Sequence, residues 1–210
     1  MIDSLFVHIP KTGGTSVKRI FRDPRFNSQT TFSKHYISWI LKRWKKENIK
    51  SCYLFTFMRN PYTRVISAYE FRFRTWEDNI REGASNSFEE YGKNMSFKSY
   101  IDVITRTEFD ISLRFYSPQL LAGLPPQINW ILNSQGEVGV DYIGRTETLE
   151  KDVKIIANNI GVFDVDDIYI PHGNPSTWRH ENYKDYYDDE SRKKVAQYFE
   201  RDIDFLKVKF

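Results

Sequence analysis

Apolar positions along the chain alternate between short continuous runs and spaced stripes. That rhythm predicts strands alternating with helices. Residues 5–9 form a compact apolar run that stops at Pro10, after which Val17, Ile20 and Phe21 recur at helical spacing. Residues 34–48 predict an amphipathic helix with Ile37, Ile40, Leu41 and Trp44 on one face. Its basic stretch, Lys42, Arg43, Lys45 and Lys46, reads as a solvated face. The segment CYLFTFM, residues 52–58, is continuous enough in apolar side chains to be a strand covered on both faces of a parallel sheet. It ends at Asn60-Pro61, and proline suits the first turn of the helix that Val65, Ile66, Tyr69 and Phe73 predict.

The second half keeps the rhythm after one interruption. Residues 75–96 are polar, carry Gly83 and Gly92, and show no sustained period, so a long loop or small insertion is expected there. Residues 97–122 are expected to be helical up to the break at LPPQ, residues 124–127. A further short strand is expected at 140–143. Leu149, Val153, Ile156 and Ile160 then form a helical stripe that ends at Gly161, a favourable residue just past a helix. HGNPSTW, residues 172–178, reads as a loop, and a last helix at 189–206 is expected to bury Val195, Tyr198, Phe199, Phe205 and Leu206. The fold class this predicts is α/β: one domain spanning residues 1–210, with a central parallel sheet flanked by helices.

Composition narrows the function. The 210 residues carry 31 Lys and Arg against 28 Asp and Glu, a net charge of +3, which permits anionic ligands without the large excess of a phosphate-tracking nucleic-acid binder. No run approaches the ~18 consecutive apolar residues of a membrane-spanning helix. The single cysteine, Cys52, allows no disulfide within the chain and no cysteine metal cage. With no signal-like stretch ahead of the first strand, the expected compartment is reducing and cytoplasmic.

The segment FVHIPKTGGTS, residues 6–16, carries the strongest chemical signal. A strand ends, a glycine turn follows and a helix begins, so backbone N–H groups and the positive helix end converge on one anion. Gly13 and Gly14 let phosphate approach the backbone, Thr12, Thr15 and Ser16 add hydroxyls, and Lys11 adds a positive charge. The order differs from a nucleoside-triphosphate loop, where the lysine follows the glycines. A P-loop-like anion site is expected, without triphosphate hydrolysis. In FTFMRNPYTRVISAYEFR, Arg59 sits just beyond the carboxyl end of a buried strand, and Ser67 follows eight residues later. A guanidinium and a hydroxyl there suit a second phosphate.

The two segments, IPKTGGTS and RNPYTRVISAY, resemble the 5′-phosphosulfate loop and the 3′-phosphate segment of sulfotransferases, and are most similar to the carbohydrate branch. The blocks YSPQ, VDYIGRTETLEKDV and NPS…YYDDESRKKVAQYFERDIDF resemble later parts of that family in the same order. The membrane anchor and paired cysteines of the Golgi members have no counterpart here. The resemblance implies 3′-phosphoadenosine 5′-phosphosulfate as donor, 3′-phosphoadenosine 5′-phosphate as product, no metal, and a hydroxylated glycan or glycolipid acceptor. It implies Lys11 at the oxygen joining sulfate to phosphate, residues 12–16 on the 5′-phosphate, and Arg59 with Ser67 on the 3′-phosphate. His35, in FSKHYISW, is the expected general base, an imidazole being the side-chain type suited to proton abstraction near neutral pH. Ser176, with Asn174 and Arg179, is the expected contact of the late loop. His8 reads as structural, and Glu147 as a partner of Arg145 or of a backbone group. Of the aromatic residues, 16% of the chain, much is expected in the core and some around adenine or sugar.

Two other readings stay open at this level. Asp164–Asp166 matches the Asp-x-Asp pair of a metal-dependent glycosyltransferase. A non-catalytic binder of phosphorylated ligands or nucleic acid would use the basic stretch at 42–50 and the aromatic side chains. The sequence assigns no oligomeric state.

Overall fold

The structure, a computed structural model, describes residues 3–26, 30–47, 52–81, 95–105, 124–162 and 181–210. Its centre is a four-stranded sheet, every neighbouring pair parallel. The strands are β1 (Ser4–Val7), β2 (Thr30–Ser33), β3 (Tyr53–Met58) and β4 (Tyr142–Arg145), in the order β2-β1-β3-β4. β1 is wholly buried and β3 nearly so, as a strand with a neighbour on each side and helices on both faces must be. Val7 stands opposite Ser33 on one side and Thr56 on the other, so β1, β2 and β3 end at the same edge.

Strand side chains alternate between the two faces. Phe6, Phe55 and Phe57 pack on one face with Val17, Ile20 and Phe21 from α1 (Gly14–Ile20) and its exit. Val153, Ile156 and Ala157 from α6 (Leu149–Asn159) join the same cluster. Leu5, Val7 and Leu54 point the other way, onto Ile37 and Ile40 of α2 (Ile37–Glu47). The expected α/β class is therefore the observed one. Phe6 stacks on Phe55 at 5.4 Å between ring centroids, and Phe21 lies 5.0 Å from Phe55, so much of the phenylalanine content is this core.

The chain divides into two compact units. The first holds the sheet, residues 1–60 and 127–175; the second holds residues 61–126 and 176–210. In the second, α3 (Pro61–Arg81), α4 (Phe97–Ile104), α7 (Asp189–Tyr198) and α8 (Glu200–Leu206) surround Tyr62, Val65, Tyr69, Tyr100, Ile101, Val195 and Phe199. A reciprocal cap between Asp188 and Ser191 starts α7. A short helix of the first unit, α5 (Ile128–Ile131), precedes β4.

Several boundaries differ from those the sequence predicts. α3 runs through Arg81, so residues 75–81 are helix and not loop; neither glycine nor proline interrupts the chain before Gly83. Residues 82–94 lie outside the described residues, as do 106–122 of the expected helix at 97–122, of which α4 is the described part. The C-terminal helix is two helices that break at Phe199. Glu200 and Asp202 then give α8 its own acidic first turn, which suits a fresh helix start. Phe205 falls off the face that Val195, Phe199 and Ile203 share, and it is exposed. β2 has no counterpart in the expected elements: it is a short edge strand, half-exposed and threonine-rich.

Candidate active site

The connection from β1 to α1 is wound by two left-handed residues, Lys11 (φ 69°) and Gly13 (φ 80°). The first is costly for a side-chain-bearing residue, a form of strain that recurs at functional sites. Thr12 is fully buried, and its hydroxyl donates to the Ile9 carbonyl at 2.9 Å. It therefore closes the turn from within, so the group it presents outward is its backbone. Gly13 precedes α1 without a side-chain cap, and no acidic residue lies in the first turn. The positive end of such a helix suits an anion. Thr15 is exposed and Ser16 half-buried at that end.

Gly14 is required by its neighbour. A Cβ at this position would lie 2.0 Å from Nε2 of His8, whose ring fills the space a side chain would occupy. The His8 amide donates to the Ser33 carbonyl at 2.7 Å, tying the exits of β1 and β2 together. Burial, with Lys18, Lys34 and Lys11 nearby, pulls the His8 imidazole down to about 4. Lys18 is itself pushed down, by burial and then by Lys34 and Arg22. A positive field surrounds the loop.

Arg59 follows the last residue of β3, at the same sheet edge as Lys11. The chain passes from β1 to β2 on one side and then to β3 on the other, so the β1/β3 boundary is a topological switch point. Open α/β sheets bind ligands at such points. The backbone of Arg59 is clasped by the buried Gln127, whose Oε1 accepts from the Arg59 amide at 2.9 Å while its Nε2 donates to the Arg59 carbonyl at 2.8 Å. The guanidinium is half-buried and shifted down by burial, against the opposing pull of Glu147. Glu147 accepts from the Asn60 amide at 2.7 Å and from Arg145 at 3.4 Å, the structural partnership expected of it. Thr146 packs on the loop from β4: its Cγ2 lies 3.5 Å from where a Gly13 Cβ would be, and its hydroxyl donates to the Met58 carbonyl at 3.3 Å.

His35 lies between β2 and α2, exposed, its amide donating to the Ser33 hydroxyl at 3.2 Å. Its ring stacks on Trp39 at 4.1 Å. Lys11, Thr12, Gly13, Gly14, Thr15, Ser16, His35 and Arg59 are all in the first unit, while Ser67 is a buried residue of α3 in the second. Ser176, Asn174, Arg179, His172 and Asp164–Asp166 lie outside the described residues. Sequence reading missed Gln127 and Thr146 as supports of the site. Gln127 was hidden in LPPQ, where the prolines mark a break but nothing marks the glutamine's partner.

No helix among the described residues is long and apolar enough to cross a membrane. Among curated proteins, none matches the chain. The sequence model of the sulfotransferase family matches residues 4–208, from the first residue of β1 to beyond α8. That span takes in the loop at Lys11, the strand end at Arg59 and the C-terminal helices, and it sets aside the glycosyltransferase and the non-catalytic binder. The chain belongs to the sulfotransferase family and is an enzyme of sulfuryl transfer.

Proposed function

We propose that the enzyme moves the sulfuryl group of 3′-phosphoadenosine 5′-phosphosulfate to a hydroxyl of a carbohydrate-containing acceptor. The observation that carries this reading is a strained glycine loop after β1, with Arg59 following the adjacent parallel strand β3, at the switch point of the sheet. The loop acts as a P-loop-like anion site. The backbone N–H groups of residues 12–16 hold the 5′-phosphate, and Lys11 neutralises the charge that develops on the bridging oxygen. Arg59 holds the 3′-phosphate; Ser67 and Ser176 are assigned to the donor as well. In the transfer, the acceptor oxygen forms a bond to sulfur as the bond from sulfur to the bridging oxygen breaks. The acceptor proton passes to His35, and 3′-phosphoadenosine 5′-phosphate leaves.

Isothermal calorimetry with 3′-phosphoadenosine 5′-phosphate tests the donor, and the expected result is saturable one-site binding. Lys11→Ala lowers kcat by about 10²–10³ if the lysine stabilises the leaving oxygen as one electrostatic donor does. His35→Ala spares nucleotide binding and lowers transfer by about 10²–10⁴. Full binding with an unchanged rate in both variants overturns the residue assignment. Absence of nucleotide binding overturns the donor.

A further inference from the structure

His8 has a place in the loop that the transfer reaction above does not use. Its ring lies against Gly14, with Nε2, Cδ2 and Cε1 all within 2.8 Å of where a Cβ would stand. On its inner side it stacks on Phe6, ring centroids 5.5 Å apart. Nδ1 is buried and has no hydrogen-bond partner among the described residues. The ring therefore sits directly under the first helical residue of the anion loop, held by packing and by its amide bond to Ser33.

The charges that bear on it come from three directions: Lys18 on α1, Lys34 beyond β2, and Lys11 in the loop. All three are positive. With burial, they keep the imidazole neutral far below the pH where a histidine ordinarily protonates. An anion in the loop reverses the sign of the nearest large charge. The lysine charges are then offset, and a proton on the ring faces an attractive field where it faced a repulsive one.

We propose that His8 is a positioning residue of the anion loop that takes up a proton when the loop is occupied, so that anion binding and His8 protonation are coupled. This rests on the reading of residues 11–16 as the anion site. The proton comes from solvent, and no bond is made or broken in the ligand. Coupling is reciprocal: if the ligand favours the protonated ring, acidification strengthens ligand binding by the same factor.

The test is a histidine-selective ¹⁵N titration of the full chain between pH 4.5 and 8, which reads the protonation of each imidazole directly. His8→Gln and His35→Gln spectra assign the signals. The protein alone should show His8 neutral from pH 8 down to about 5, with the onset of protonation only below that. Saturation with 3′-phosphoadenosine 5′-phosphate should raise its midpoint by about 1–3 units, as a nearby opposite charge does. In calorimetry the wild type should gain affinity relative to His8→Gln as the pH falls from 7 to 5, by about twofold for a shift of one unit, about tenfold for two and about fiftyfold for three. A His8 that stays neutral with ligand bound, or equal pH dependence in the two proteins, overturns the proposal while leaving the donor assignment standing. Inorganic sulfate titrated in parallel separates the two readings. A His8 shift with sulfate but no binding of the nucleotide keeps the coupling and overturns the donor. No shift with either overturns the coupling.

Discussion

At the residue scale, the loop is built from mutual exclusions. Gly14 lacks a side chain because His8 occupies the position, and Gly13 lacks one because its backbone is left-handed. Gly14→Ala must displace either the imidazole or the loop. Overpacking of this kind costs about 1–3 kcal/mol, visible as a lowered denaturant midpoint. Donor affinity should fall with it, more than in Gly136→Ala, where the added methyl meets open space, although the backbone there is left-handed. The same histidine sets a pH dependence of stability. It titrates near 6.5 in the unfolded chain and at about 4 in the folded one. Between those values the unfolded chain binds more protons, so stability falls as the pH drops from 6.5 towards 4, and this contribution is level below that. The full shift corresponds to about 3 kcal/mol, less in so far as the half-buried ring keeps contact with water. Urea unfolding at pH 7 and pH 4.5 should show a smaller acid loss for His8→Gln than for the wild type.

At the element scale, what was legible followed from burial. β1 and β3 are continuous apolar runs because both their faces are covered, and the stripe Leu149-Val153-Ile156-Ile160 is a helix with one face on the core. β2 was not legible: Thr30, Thr31 and Ser33 give no apolar period, and the strand is defined by pairing with β1 along an edge. The loop motif itself was legible, because strand, glycines and hydroxyls are local. Its supports were not, since Gln127 meets Arg59 across 68 positions and Thr146 meets Met58 across 88. Another such support is Asp152, buried on α6. Oδ1 accepts from the Tyr142 hydroxyl at 2.8 Å; Oδ2 accepts from the Arg145 amide at 2.8 Å and the Thr148 hydroxyl at 2.6 Å. Removing the carboxylate in Asp152→Ala strands three donors where β4 turns into α6. A loss of about 1.5–3 kcal/mol is expected, with thermal denaturation as the measure. Gln127→Ala removes two bonds to one backbone. With hydrogen bonds to uncharged groups worth about 1 kcal/mol each, it should cost about 2 kcal/mol and weaken nucleotide binding through Arg59.

At the scale of the whole molecule, the first unit is assembled from two separated stretches of chain. β4 and α6 arrive only after residues 61–126, and they bring Val153, Ile156, Ala157 and Ile160 to the cluster around Phe55 and Phe57. A chain ended after Pro126 would expose that face of the sheet together with the outer edge of β3. Such a fragment should show no cooperative unfolding transition by circular dichroism. Of the residues proposed for transfer, Lys11, His35 and Arg59 belong to the first unit and Ser67 to the second.

The clasp between Gln127 and Arg59 has a consequence for the chain between them. The point where the chain leaves the sheet-bearing unit and the point where it returns are held a hydrogen bond apart. The intervening 61–126 stretch is therefore anchored like a long excursion between two fixed posts. A change of length inside 61–126 thus leaves both ends of the excursion, and the strand end that Arg59 follows, where they are.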